Sequence, residues 1–404
     1  MDLKRLTSSL LFWVVVAIIL GIICSLFFPE WLARVFITFN SLFGGFLGFF
    51  VPVLIFALIT PAIGGLGRGA GKWLAITTAI AYASTILSGL LGYAVAVGLF
   101  PSLLAGQTVN TVEESESALT SYFSIEMPPP FEIMTALLLA FCLGVAMTVV
   151  KSDTMYALSR DLERVVMKVI SAFVIPLLPV FIFGMFLSLG MDGNLGATMV
   201  AFGKVIVVAV VMTFIFLAVL FGVAGAVAKV NPFVAFKNML PAYATALGTS
   251  SSAATIPVSY KSTLRNRVDP NVAGFVIPLC ATIHLGGSMM KIVLFAFAIV
   301  QMAGIEVSPG MAIGFLLMLG VTMIAAPGVP GGAIMAAVGL LSSMLGFTDA
   351  QVALMIAAYI AIDSFGTAAN VTGDGAIALI INRFAKGKIN KVREVETVEP
   401  EPVQ

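Results

Sequence analysis

The chain has 404 residues, of which 60% are hydrophobic and only 10% are charged, and its formal net charge is +1. Apolar runs longer than about 18 residues recur along it without a charge, which is the length of a transmembrane helix. This composition predicts an integral α-helical membrane protein and excludes a soluble domain. The lipid bilayer is therefore an expected partner, and nucleic acid is not.

Enzymatic chemistry is not predicted. The sequence has one histidine, and its three cysteines, Cys24, Cys142 and Cys280, lie in separate apolar runs. Such an arrangement indicates neither a disulfide framework nor a metal motif. No catalytic triad or zinc site can be assembled from it.

The first three spans are predicted from apolar runs and basic flanks. The run at 10–28 follows Lys4 and Arg5 and is too long and too poorly cleavable for a signal peptide. We interpret it as the first span, with the N-terminus in the cytoplasm by the positive-inside rule. The second and third spans are predicted at 35–66 and 73–100.

The middle of the chain alternates between acidic and basic connections. The segment 106–126 carries glutamates and no basic residue, which predicts an external loop. A fourth span follows it, then a basic cytoplasmic connection, a fifth span kinked by prolines, and a sixth span at 197–228. The basic residues of the connection are Arg160, Arg164 and Lys168, and the prolines are Pro176 and Pro179.

Two later segments predict re-entrant hairpins. The segment 241–260 is too short and polar to cross and return, has a serine-rich centre, and carries basic residues on both flanks. The segment 308–345 has a proline- and glycine-rich centre and acidic flanks, so it is expected to enter from the outside. A seventh span at 272–304 lies between them and is interrupted at 284–288.

The last predicted span carries a polar stripe. At about 100° per residue, Asp363, Thr367, Asn370 and Asp374 fall on one helical face and cover roughly 16 Å. Such groups are costly in a membrane unless they face partners or a cavity, which favours a binding site over a purely structural polar contact. The two aspartates are too far apart along one helix for an aspartyl catalytic pair.

A hairpin and a broken helix, followed by a hairpin of opposite entry and a polar helix, form the pattern of an inverted repeat. Irregular backbone at membrane depth is tolerated where it lines a cavity or is buried in protein. The predicted fold is all-α and integral to the membrane, with eight transmembrane helices and two re-entrant helical hairpins. A transport pathway is predicted, and a channel or a receptor-like protein is the alternative.

These motifs, with Asn370-Val-Thr-Gly-Asp374 at their end, resemble the glutamate-transporter family of dicarboxylate/amino acid:cation symporters. The resemblance implies a homotrimer in the cell (inner) membrane, with both termini cytoplasmic, that works by an elevator mechanism. It divides the chain into scaffold, transport domain and a disordered cytoplasmic tail. The scaffold is expected at 1–70 and 104–195, the transport domain at 71–103 and 196–385, and the tail at 386–404.

The resemblance also implies the roles of individual residues. Asp363 matches the carboxylate that binds the substrate's amino group, and Thr367 and Asn370 match hydrogen-bonding positions. Asp374 matches a carboxylate that binds Na⁺. Further substrate contacts are expected from Ser251, Ser252, Ser288, Val329 and Gly331, and further Na⁺ ligands from Cys280, Thr282, Ala325 and Asn370.

Departures from the family pattern affect the expected substrate. Gly366 stands where members that carry acidic substrates have an arginine, so no bidentate fork for a second carboxylate is available there. This favours a neutral amino acid. Lys291 supplies the alternative, an acidic amino acid or dicarboxylate bound by its ammonium, unless the lysine instead reaches toward the outer surface.

Other departures affect the coupling ion. Gly286 and Ile86 replace an aspartate and a serine of one Na⁺ site, so fewer coupled Na⁺ ions are expected. His284 lies in the same interrupted segment, where it can be a structural residue or carry a proton. The sequence therefore predicts a secondary symporter of a small amino acid, coupled to Na⁺ with H⁺ as a further candidate.

Overall fold

The structure is a computed structural model that describes residues 10–66, 71–106, 119–150, 152–191, 195–326, 330–387 and 389. Val329, Lys4 and Arg5, most of the predicted external loop and nearly all of the predicted tail lie outside these ranges. The first helices are α1 (Leu10–Ser25), α2 (Glu30–Leu66), α3 (Gly71–Leu103), α4 (Ile133–Val150), α5 (Asp153–Val169), α6 (Ile175–Met191) and α7 (Leu195–Ala228). The remaining ones are α8 (Pro232–Thr249), α9 (Ser252–Arg265), α10 (Pro270–Ile283), α11 (Gly286–Ala303), α12 (Pro309–Ala325), α13 (Gly332–Leu345), α14 (Asp349–Ala361) and α15 (Asp363–Ala385).

Several of these helices are long and apolar enough to cross a membrane. Within the described ranges there are five such spans, formed by α2, by α3, by α5 with α6, by α7 and by α10 with α11. A sixth results if α14 and α15 together form one bent span. The helices at the predicted first and fourth spans are shorter, and α1, with 16 residues, is about 24 Å long against a hydrocarbon core of about 30 Å. An all-helical membrane architecture is confirmed, and the count of eight spans stays a prediction.

Both predicted hairpins are helix pairs. In the first, α8 and α9 pack against each other and turn at Ser250, whose φ of 50° lies in the left-handed region. The side chain of Ser251 then caps α9 by accepting a hydrogen bond from the backbone N–H of Ala254. In the second, α12 packs against α13, and residues 327–329 of the connection lie outside the described ranges.

Two long helical segments are interrupted near their middle. The predicted break in the seventh span is confirmed, because α10 ends at Ile283 and α11 begins at Gly286. A second break was not predicted: α14 and α15 meet at Ile362 with a bend of 61°. Asp363 therefore stands in the first turn of α15 rather than in the middle of a continuous helix.

The basic connection before the fifth span is itself helical, a feature that the sequence analysis left open. Arg160, Arg164 and Lys168 lie in α5, and a π-helical turn at Ile170–Val174 joins α5 to α6. Arg160 pairs with Glu163 three residues away, and such spacing supports a helix at its exposed face. The polar residues thus form the exposed side of a helix.

The interior of the fold is built around α11 and α15. Nearly every residue of each helix is buried, as expected of a helix that is apolar on most sides. The two helices approach closely at Gly287, where an added Cβ would lie 2.6 Å from the carbonyl oxygen of Gly366. This contact brings the helix break at His284 next to the polar stripe of α15.

Candidate functional site

The four polar residues of the predicted stripe all lie in α15 and are all buried. Asp363, Thr367, Asn370 and Asp374 have exposed fractions of 7%, 6%, 2% and 1%. The polar groups that meet them come from the start of α13, from α11, and from the break between α10 and α11. The stripe therefore faces protein on its polar side, as the cost of burying such groups requires.

Asp363, at the N-terminal end of the stripe, connects α15 to α11 and to the start of α13. Its Oδ2 accepts a hydrogen bond from the backbone N–H of Gly331 at 2.8 Å, and its Oδ1 lies 3.5 Å from the Nζ of Lys291. The hydroxyl of Thr367 donates to the carbonyl oxygen of Asp363 at 3.1 Å. The tip of the second hairpin is thus held directly on the carboxylate that the resemblance assigns to substrate binding.

Lys291 is fully buried, with an exposed fraction of 0%. Its ammonium donates to the carbonyl oxygens of Ile362 and Asp363 at 3.1 and 3.2 Å and lies 4.1 Å from the ring centroid of Tyr359. Carbonyls at the end of a helix carry partial negative charge, so the break between α14 and α15 is a favourable place for a cation. The alternative of a lysine that reaches the outer surface is wrong for this structure.

Gly366 is what makes room for this lysine. A Cβ at position 366 would overlap the Cε and Nζ atoms of Lys291. The ammonium of α11 therefore occupies space directly beside the position at which the resemblance leads one to expect an arginine on α15. Gly366 and Lys291, the two residues on which the expected substrate depends, therefore pack directly against each other.

Asn370 caps the start of α11. Its Oδ1 accepts hydrogen bonds from the backbone N–H groups of Gly287 and Ser288 at 2.8 and 3.2 Å, and its Nδ2 donates to the hydroxyl of Ser288 at 3.0 Å. The first N–H groups of a helix have no partner within it, so this side chain from a neighbouring helix satisfies two of them. Asn370 and Ser288 thereby fix the position of α11 against α15.

His284 connects α15 to α3. Its Nδ1 lies 2.9 Å from Oδ1 of Asp374 and its Nε2 lies 3.1 Å from the hydroxyl of Ser84, and the ring is fully buried. The neighbouring Ser88 donates to the carbonyl oxygen of Gly286 at 2.8 Å. Sequence reasoning missed Ser84 and Ser88, although their spacing of four residues places both hydroxyls on one face of α3.

The chain also matches the model of a known protein family. The model of the sodium:dicarboxylate symporter family matches residues 10–384. The chain belongs to this family. The family is one of membrane symporters and not of enzymes.

Individual relatives of this chain are proteins named as excitatory amino acid transporters. Excitatory amino acid transporter 1 of Homo sapiens is 34% identical over 171 residues, which cover 42% of this chain and 31% of that protein. The transporter 1 of Rattus norvegicus is 27% identical over 305 residues, or 72% and 55% of the two chains. Transporter 3 of Mus musculus is 33% identical over 178 residues, or 43% and 34%. The aligned parts thus span between about a third and about half of these relatives.

The remaining site residues of this family member are placed as follows. Ser252 is buried at the start of α9, a helix that packs against α15, and Ser251 precedes it at the hairpin tip. Thr282 is exposed and donates to the carbonyl oxygen of Leu279, and Ala325 is the last residue of α12. Val329 lies outside the described residues, so its predicted contact with substrate stays a prediction.

The Na⁺ ligands that the resemblance implies are only partly available in this chain. The carbonyl oxygen of Cys280 accepts the backbone N–H of His284 at 2.9 Å, and the carboxylate of Asp374 is engaged by the ring of His284. Among the described residues no group of three or more His, Cys, Asp or Glu side chains could hold a metal ion. The assignment of these residues to Na⁺ therefore stays a prediction.

Proposed function

We propose that this member of the family is a secondary active symporter of a small acidic amino acid. The observation that carries the proposal is the buried pair of Lys291 and Asp363, which presents one positive and one negative group 3.5 Å apart within the polar stripe. An acidic amino acid carries the two complementary groups in addition to its α-carboxylate. Its ammonium would bind Asp363 and its side-chain carboxylate would bind Lys291, so both buried charges stay paired.

The α-carboxylate has a separate place in this scheme. The N-terminus of α9 at Ser251 and Ser252 and the N-terminus of α13 at Gly331 begin at the two hairpin tips. Helix N-termini offer unpaired N–H groups and a positive partial charge to an anion. The proposal therefore assigns the α-carboxylate to the hairpin tips and the side-chain carboxylate to Lys291.

A neutral amino acid is the second candidate, and Gly366 favours it because this position of α15 has no arginine. Its ammonium would bind Asp363 in the same way. Lys291 would then lose a partner inside the protein or would have to take the α-carboxylate. An unpaired buried charge costs several kcal/mol, which is why the acidic substrate is preferred here.

The wider proposal follows the family. Transport is driven by a Na⁺ gradient, with a proton as the alternative coupling ion, and proceeds by elevator movement of residues 71–103 and 196–385 against a trimeric scaffold. Both termini are placed in the cytoplasm and the protein in the cell (inner) membrane. Uptake into proteoliposomes under an imposed Na⁺ gradient or an imposed proton gradient distinguishes the two ions.

The substrate is tested by uptake of radiolabelled aspartate, glutamate, alanine, serine and succinate into proteoliposomes. We expect uptake of the acidic amino acids, and we expect Lys291→Met to abolish it while Lys291→Arg retains part of it. Lys204→Met is the matched control, because Lys204 also donates to a backbone carbonyl, that of Leu103, but belongs to α7. Uptake restricted to neutral amino acids and unaffected by Lys291→Met would refute the acidic assignment.

A further inference from the structure

A second set of contacts concerns the ion rather than the substrate. The resemblance implies a Na⁺ ion at Asp374, with backbone carbonyls completing its ligands. Hard cations of this kind need several oxygen ligands at one point. In the structure, the carboxylate of Asp374 instead meets the Nδ1 of His284 at 2.9 Å, and both atoms belong to fully or almost fully buried side chains.

The imidazole ring is fixed from both sides. Because a carboxylate only accepts hydrogen bonds, Nδ1 donates to Asp374. With the ring neutral, Nε2 accepts from the hydroxyl of Ser84 at 3.1 Å. The ring thus bridges α3 and α15 with each nitrogen partnered, so the carboxylate is satisfied by the protein itself.

The surroundings are shaped to hold this ring. A Cβ at Gly373 would lie 2.8 Å from its Cε1, so only glycine leaves the space that the ring fills. A Cβ at Gly286 would lie 2.5 Å from a ring carbon of Phe216. An aspartate at position 286, which the family pattern would supply to a Na⁺ ion, therefore does not fit beside Phe216 in this packing.

The neighbouring oxygen atoms are also unsuited to a cation. The carbonyl oxygen of Gly286 accepts from Ser88, and Ile86 packs against Gly320 where the family pattern would place a hydroxyl. Among the described residues, the buried hydroxyls of Thr85 on α3 and Thr372 on α15 have no hydrogen-bond partner. Two neutral hydroxyls are too few to replace the ligands that are engaged or missing.

We propose that the His284 side chain takes the place that a cation would have beside Asp374, and that Na⁺ does not bind at this carboxylate. The role of the ring is to occupy the site and to donate to Asp374. This proposal concerns the ion coupling of the transporter proposed above, and it holds for any substrate. His284 is thus a specificity-determining residue for the ion.

The test uses the purified full chain in detergent without substrate. Its melting temperature is measured in NaCl, KCl and choline chloride at one ionic strength, because an ion that binds the folded state stabilises it. We expect any Na⁺-specific shift of the wild type to remain in Asp374→Asn, because such a shift would come from an ion bound elsewhere. We expect His284→Asn, which vacates the ring's space and adds an amide oxygen, to gain a Na⁺-specific shift that a further Asp374→Asn change removes.

A direct measurement keeps the proposal testable if His284→Asn does not fold. Binding of ²²Na⁺ is measured on the wild type, on Asp374→Asn, and on Asp349→Asn as a control carboxylate at the start of α14. Binding to the wild type that only Asp374→Asn loses would overturn the proposal, as would a folded His284→Asn that gains no Na⁺-specific shift. Binding that all three proteins retain would locate the ion away from Asp374 and support it.

Failure of this inference is separable from failure of the proposed function. The ion measurements contain no amino acid, whereas the substrate assignment depends on uptake of acidic amino acids. A Na⁺ site at Asp374 with acidic uptake intact would overturn only the present inference.

Discussion

The dependence of Lys291 on Gly366 gives the most specific prediction of the structure. The change Gly366→Ala adds a single methyl group, and that group would overlap the Cε and Nζ atoms of the lysine. The backbone around position 366 is buried and closely packed against α11, so the helices have little room to separate. The lysine must therefore move.

The expected cost follows from the contacts that the ammonium would lose. It donates to two carbonyl oxygens, those of Ile362 and Asp363, at 3.1 and 3.2 Å, and its contact with Oδ1 of Asp363 at 3.5 Å lies at the limit of a hydrogen bond. A hydrogen bond to a charged group contributes about 1.5–3 kcal/mol net. Loss of the two carbonyl bonds would lower the free energy of unfolding by about 3–6 kcal/mol.

A double-mutant cycle identifies the cause. In a Lys291→Ala background the added methyl group meets no ammonium, so Gly366→Ala should be close to neutral or should stabilise α15 by up to about 1 kcal/mol through helix propensity. Thermal unfolding of the four purified proteins, with the affinity for acidic amino acids measured by calorimetry, provides the readout. If Gly366→Ala costs the same with and without Lys291, the proposed coupling of the two positions is incorrect.

Two further predictions concern the packing of α11 against α15. Gly287→Ala should destabilise the protein by about 1–3 kcal/mol, because its Cβ would lie 2.6 Å from a backbone oxygen. The control is Gly314→Ala, whose Cβ would meet only a methionine methyl at 3.6 Å. This control should be neutral or slightly stabilising. Equal melting temperatures for these two variants would contradict the close approach. Asn370→Ala removes the cap of α11 and should cost about 1–3 kcal/mol, since two buried N–H groups lose their acceptor; the more conservative Asn370→Asp, which keeps an acceptor, should recover part of the melting temperature.

Much of the architecture could be predicted because it depends on local pattern. Long uncharged runs predict membrane helices, and serine-rich or glycine- and proline-rich interruptions predict the two hairpin turns. The break near His284 and the common helical face of Asp363 and Asp374 follow from the same kind of reading. These features need only neighbouring residues and helical periodicity.

Other features could not be predicted because they depend on residues far apart in the chain. The bend at Ile362 has no glycine or proline at that residue to announce it, and its carbonyl is bound by Lys291, 71 residues away. The basic segment around Arg164 is helical because its apolar side packs against α2. Periodicity identifies the face of a helix, but it does not identify the element that covers that face.

The sequence by itself determined the class of protein, the order of its helices and hairpins, and the stripe of polar residues that forms the candidate site. Only the tertiary structure decided that the ammonium of Lys291 turns inward to Asp363 and that the ring of His284 contacts the carboxylate of Asp374. The physical reason is that a long lysine or a histidine in an interrupted helix has several directions open to it. Its partner is fixed by the packing of helices that lie 72 and 90 residues away along the chain.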